Sequence, residues 1–136
     1  MKTTVEIWVF SRNPDMEVLL LRRTKKSGWG KVFWQPITGT ININESPVEA
    51  AVRELAEESG ITSWKHWIDM KQPFYFPTRG LGTLHKTLYA VEVEKQDIVV
   101  DPHEHDAFQW VPLDKVSELL YWNSNIKGFG LFKSCL

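Results

Sequence analysis

The chain has 136 residues, 43% of them hydrophobic and 24% charged, a balance that suits one globular domain with a real core and argues against disorder. Lys and Arg number 16 against 17 Asp and Glu, for a formal net charge of −1, so no basic field exists to attract nucleic acid in bulk. Cys135 is the only cysteine, which excludes a disulfide scaffold and fits a reducing cytoplasm. No apolar run approaches the length of a membrane span, and the acid within MKTTVEIWVF argues against a secretory leader.

Residues 3–10 are rich in β-branched and aromatic side chains and read as a strand. The turn cluster SRNPD joins it to a second, mostly buried strand over residues 17–23, and the two form a hairpin. A glycine-bearing loop is expected over residues 24–31, followed by an extended segment at 32–37 with Pro36 at an edge or bend. A helix then begins by its own grammar. Ser46 is a good N-cap, Pro47 fits the first helical position, Glu49 completes a capping box, and Gly60 supplies the stop. Val48, Ala51, Val52 and Leu55 recur at helical spacing and predict its apolar stripe.

Beyond the helix, residues 62–71 predict a strand bearing Trp64 and Trp67, which Phe74 to Phe76 continue past Pro73. Residues 78–82 read as a turn or loop, 83–94 as a long strand, 98–100 as a short one and 107–111 as the last. Between these, DPHEHD at 101–106 is an acidic, histidine-bearing loop. Pro112 opens a short helix to about Leu120, and Asn123 is expected to cap a terminal helix.

On the central helix Glu54, Glu57 and Glu58 stand at i, i+3 and i+4 and share one face. Bare carboxylates so placed repel, and such a cluster of hard oxygen ligands suits Mg²⁺, which binds through a few carboxylates together with substrate phosphates. Arg53 beside them can orient a glutamate through a charge-assisted hydrogen bond.

Written as G-x5-E-x7-R-E-U-x-E-E-x-G-U, with U a bulky aliphatic, the stretch uses Gly39, Glu45, Arg53, Glu54, Leu55, Glu57, Glu58, Gly60 and Ile61. It resembles the signature of the Nudix hydrolases at every defining position. Asn42 and Asn44 depart from the commonest form of the loop, where an acid and a glycine are usual; Asn best tolerates φ > 0, so the turn survives. The resemblance implies an α+β fold, an α/β/α sandwich with a mixed β-sheet and a loop-helix-loop. It implies metal contacts from Gly39, Glu54, Glu57 and Glu58, and Mg²⁺ as the cofactor with Mn²⁺ able to substitute.

Phe33-Trp34-Gln35 followed by Pro-Ile-Thr-Gly resembles the segment before the box in the dihydroneopterin triphosphate branch of that family. In the same branch a Glu-His pair, here Glu104-His105, precedes an aromatic-x-Trp strand, here Phe108-Gln109-Trp110. By that resemblance Glu104 is a further metal ligand or general base, weighed against a solvated loop acid. Trp34 could stack on a base or pterin ring, although strand aromatics more often fill core, and Gln35 could read the ring edge. Only one of Arg22 and Arg23 can face a site, with Arg23 the candidate for phosphate. Lys86 could also touch phosphate, while His103-x-His105 without a third placed ligand is a weak metal signal.

The implied reaction is cleavage of a nucleoside triphosphate-like molecule to the monophosphate and pyrophosphate. The alternatives are hydrolysis of a dinucleoside polyphosphate or nucleotide sugar, or a nucleotide-binding module without catalysis. The expected partner is a small phosphorylated molecule, with neither nucleic acid nor membrane, for a cytoplasmic monomer or homodimer.

Overall fold

A computed structural model describes residues 2–24, 31–72, 74–78, 80 and 82–136. β1 (Lys2–Ser11) is the spine of an eight-stranded mixed sheet, because it is apolar on both faces. Its odd residues Val5, Ile7 and Val9 enter one core, and its even residues Trp8 and Phe10 enter the other. β1 pairs in parallel with β7 (Gly82–Glu92) from Lys2–Leu84 to Phe10–Glu92, and every other pairing in the sheet is antiparallel.

β1 and β2 (Glu17–Arg23) form the expected hairpin, but they share only the pairs Phe10–Val18 and Ser11–Glu17 before they part. The gap is filled by two short strands in succession. β3 (Phe33–Gln35) pairs with the far end of β2, and β4 (Ile37–Thr40) pairs with the near end of β1. The other edge of β2 takes β8 (His105–Pro112). β7 likewise divides its outer edge between β5 (His66–Asp69) and β6 (Phe74–Thr78).

α1 (Pro47–Ser59) covers one face and α3 (Asn123–Ser134) the other, with a 3₁₀ turn (Leu113–Lys115) and the single turn α2 (Val116–Leu119) leading into α3. The mixed-sheet α/β/α sandwich that the family resemblance implies is what the chain forms.

α1 starts and stops as its sequence dictates. Ser46 Oγ accepts from the Glu49 N–H at 3.2 Å, Glu49 Oε1 accepts from the Ser46 N–H at 2.9 Å, and Gly60 closes the helix at φ 79°. Its buried side keeps Ala51 and Leu55 of the predicted stripe but not its two valines. Ala50, Ala51, Leu55, Glu58 and Ser59 are buried, while Val48 and Val52 are exposed.

Other expectations need correction too. Only His66–Asp69 of residues 62–71 forms a strand, and Phe74 opens a separate strand on the same neighbour β7. Residues 98–100 form no strand; the Val99 N–H instead donates to Ser59 O at 3.1 Å at the end of α1. Asn123 is the first residue of α3, and Trp122 stands at its cap without a side-chain cap bond. Residues 25–30 of the 24–31 loop, Pro73, and residues 79 and 81 of the 78–82 turn lie outside the described residues.

Candidate active site

The parting of β1 from β2 sets β4 and the C-terminal half of α1 near the ends of β2 and β8, and the acidic residues meet there. Arg53 organises them. Its Nε and Nη2 donate to the two oxygens of Glu45 at 2.8 and 2.9 Å, a bidentate pair, and Nη2 also donates to Thr40 O at 3.0 Å. Nη1 donates to Glu54 Oε1 at 2.8 Å and to Glu57 Oε2 at 3.3 Å. One guanidinium therefore ties the β4–α1 loop to the acidic face of the helix. The hydrogen bond from Arg53, followed by that from the Asn42 N–H, pulls the Glu45 carboxyl down to about 2. Asn44 turns this loop at φ 63°, the left-handed conformation expected of it.

Gly39 has a physical reason to lack a side chain. The Glu54 carboxylate packs across its Cα, and any Cβ there would overlap Glu54 Cγ, Cδ and Oε1. Glu57, by contrast, points outward with 56% of its side chain exposed.

Glu58 lies on the inner side of the helix at 2% exposure. Burial pushes its pKa well above the usual carboxylate range, and Glu54 and Glu104 add to this while Arg23 opposes it. Both of its oxygens are buried without a hydrogen-bond partner. Glu104 and the fully buried His105 complete a group with Glu58 in which one ligand atom from each lies within 4.8 Å of the others. A buried acid with no donors, facing another acid and an imidazole, is a place where a cation can sit. The His103-x-His105 spacing is too weak a signal to find His105; what finds it is its register opposite Arg23 on β2, which a linear spacing does not show.

Arg23 faces this group with Nη1 3.5 Å from Glu104 Oε2, while Arg22 points away and pairs with Asp106 at 2.7 Å. The strand alternation thus puts only Arg23 at the site. Gln35 is buried, with Nε2 3.1 Å from His105 Nε2. Trp34 alternates to the other face of β3, where it packs on the α3-side core under Arg22 and is absent from the cavity lining.

A cavity of about 710 Å³ opens beside these groups. Its lining includes Arg23, Gly39, Glu54 and Glu104 together with Phe33, Phe76, Trp122, Ser124 and Asn125. Lys86 also reaches the cavity, but its ammonium is already paired with buried Glu6 at 2.5 Å and lies 3.3 Å from Ser124 Oγ. Phe33 and Trp122 meet edge to face, with centroids 5.4 Å apart. These two rings are a feature that the sequence reading missed, since Trp122 lies 89 residues from Phe33 (122 − 33).

The NUDIX domain family model matches residues 2–129, which contain every one of these groups. The chain belongs to the NUDIX family. Among NUDIX relatives it is 30% identical over 125 residues to an RNA pyrophosphohydrolase of Gluconacetobacter diazotrophicus, covering 78% of this chain and 75% of that protein. It is also 35% identical over 126 residues to a Myxococcus xanthus protein named octanoyltransferase, covering 88% of this chain but 33% of that protein. The chain thus spans only a third of that relative's length. The E. coli dihydroneopterin triphosphate pyrophosphohydrolase shares the fold, at TM-score 0.81 and 22% identity, covering 96% of this chain and 93% of that one. NUDIX hydrolases generally use a divalent metal, and Glu58, Glu104 and His105 form a group able to take one.

Proposed function

We propose that this chain is a Mg²⁺-dependent pyrophosphohydrolase that converts a nucleoside triphosphate-like molecule to its monophosphate and pyrophosphate. The observation that carries the reading is that one cavity of about 710 Å³ is lined both by acidic and arginine side chains and by aromatic ones. Its volume falls in the usual range of roughly 300–1,000 Å³ for small-molecule sites. A triphosphate needs the charged groups and a flat ring the aromatic ones.

Glu54, Glu57, Glu58 and Glu104 would hold the metal, with the Gly39 backbone close by. When bound, the ion neutralises phosphate charge and makes water a better nucleophile. Arg53 donates to Glu54 and would hold it in one orientation for catalysis, and Glu104, which lines the cavity, would accept a proton from the attacking water. Arg23 balances charge on the phosphates. Gln35 lines the cavity from the β3 side, and Lys86 presents a compensated charge beside Ser124. Trp34 would act on the ring only through β3, since Phe33 and Trp122 stand at the cavity in its place.

Metal-free, the acids cannot all ionise beside one another without mutual repulsion, so a non-catalytic binding module would gain nothing from keeping every one. The net charge of −1 disfavours long RNA, and a small-molecule substrate in the cytoplasm fits best. The test is a panel with Mg²⁺: dihydroneopterin triphosphate, purine and pyrimidine deoxynucleoside triphosphates, a dinucleoside polyphosphate, a nucleotide sugar and a 5′-triphosphorylated RNA, with products identified by mass. The ring triphosphates should give pyrophosphate with the highest kcat/KM. Cleavage confined to the dinucleotide, the sugar or the RNA would refute the substrate class.

A further inference from the structure

Three buried side chains at the cavity wall lie in series, the last two, His105 Nδ1 and Glu58 Oε1, each without another hydrogen-bond partner among the described residues. Gln35 Nε2 lies 3.1 Å from His105 Nε2, and His105 Nδ1 lies 3.6 Å from Glu58 Oε1. Gln35, His105 and Glu58 are 5%, 0% and 2% exposed, so water does not compete for these groups. With the Gln35 amide nitrogen turned to the ring, as the structure has it, that nitrogen can only donate and the ring nitrogen it meets is an acceptor. The single proton of a neutral imidazole then sits on Nδ1 and points at Glu58. With Glu58 ionised, as a bound cation requires, the opposite tautomer would set a ring lone pair against a buried carboxylate, leaving both unsatisfied. Both ends of the ring therefore demand the same proton position.

We propose that Gln35 and His105 act together as positioning residues for Glu58, the amide fixing the ring tautomer and the ring N–H fixing which carboxylate oxygen is left for the metal. This deepens the metal-site reading above and rests on it. It removes His105 from the ligand set, because Nε2 is held by Gln35 and Nδ1 carries the proton. It also gives Gln35 a task within the protein instead of contact with a substrate ring.

The test uses the full chain and Mn²⁺ alone, with bound ion read from the loss of the free-ion EPR signal. Outer-shell partners of metal ligands are typically worth 10–100-fold in affinity, so Gln35→Leu and His105→Leu should each weaken Mn²⁺ binding by about that factor. His105→Asn, whose amide N–H can replace the Nδ1–H, should restore most of it. His105→Leu binding as tightly as wild type, or His105→Asn binding as poorly as His105→Leu, would overturn the proposal. A second measurement needs no variant. Long-range ¹H–¹⁵N spectra of the wild type with Mg²⁺ should show His105 protonated at Nδ1 and bare at Nε2; an Nε2–H ring, or Nδ1 losing its proton when Mg²⁺ is added, would overturn it. A wild type that shows the Nδ1–H ring yet binds no Mn²⁺ would instead refute the metal-site reading, and the proposal with it.

Discussion

Glu58 and His105 respond to burial in opposite senses, and pH separates them. Burial raises the Glu58 pKa in the folded protein, so its contribution favours the fold below the ordinary carboxylate value and is lost as pH rises through the raised one. Metal-free protein should therefore lose thermal stability on going from about pH 4.5 to pH 8. Glu58→Gln should flatten that decline while cutting turnover by roughly 10²–10³-fold, as removal of a preorganised charge-stabilising group does. Melting curves in EDTA across that range check the first half; a variant that follows the wild-type curve would sink it. Burial, and then Arg23, lower the His105 pKa from 6.5 to about 4. Its contribution is present above pH 6.5 and lost as pH falls toward 4, on the order of 3 kcal/mol for a neutral buried ring. His105→Asn should remove that acid limb from a stability–pH curve measured by urea titration. His105 is hard to see in the sequence because a histidine's neighbours across a sheet are set by register, and here the decisive ones are Gln35 and Glu58, 70 and 47 residues away (105 − 35, 105 − 58).

At the scale of the element, the β4–α1 loop and α1 act as one unit because Arg53 joins Thr40, Glu45, Glu54 and Glu57. Lysine cannot reproduce the fork that grips both Glu45 oxygens. Arg53→Lys should therefore lower kcat by about 10–100-fold with a small change in melting temperature, as loss of an orienting partner does. Gly39→Ala should misplace Glu54, and a displacement of about 1 Å at a reacting group can cost on the order of 10²-fold in rate. Steady-state kinetics check this; a Gly39→Ala variant that turns over normally would show that Glu54 has another seat. The helix limits are legible because caps are local chemistry: Ser46, Pro47, Glu49 and Gly60 act on groups within a turn of themselves. The buried face is less legible. Val48 and Val52 look apolar on paper, yet small Ala50 lets the helix lie close to the sheet, and a functional acid, Glu58, takes a buried position that hydrophobicity would not assign to it.

Across the whole molecule, the early separation of β1 from β2 makes the site, by inserting β3 and β4 and leaving a cavity between the acidic helix and α3. A buried polar network anchors α3 on that side. Glu6 Oε1 accepts from Lys86 Nζ and, at 2.8 Å, from Asn125 Nδ2, while Glu6 Oε2 accepts from Trp8 Nε1 at 3.0 Å. Gly128 leaves room for Glu6, and a Cβ there would overlap its Oε2. Gly128→Ala should thus lower stability by about 1–3 kcal/mol in a denaturant titration. Strands such as Glu17–Arg23 are readable because alternation is local, whereas the Glu6–Lys86 pair is not, since parallel pairing of β1 with β7 joins residues 80 apart (86 − 6). Segment 98–100 misleads for the same reason: the Val99 N–H donates to Ser59 O at the end of α1 while Ile98 and Val100 pack on the core, and a strand exists only where a neighbour offers a ladder. The claim underlying all of this is that the acids of α1, with Glu104, cut a diphosphate linkage through a divalent metal. Mass analysis of dihydroneopterin triphosphate incubated with the wild type and with Glu58→Gln, each with Mg²⁺ and with EDTA, tests it most directly. The account predicts monophosphate and pyrophosphate from the wild type with Mg²⁺ alone; equal cleavage by Glu58→Gln, or cleavage that persists in EDTA, would contradict it.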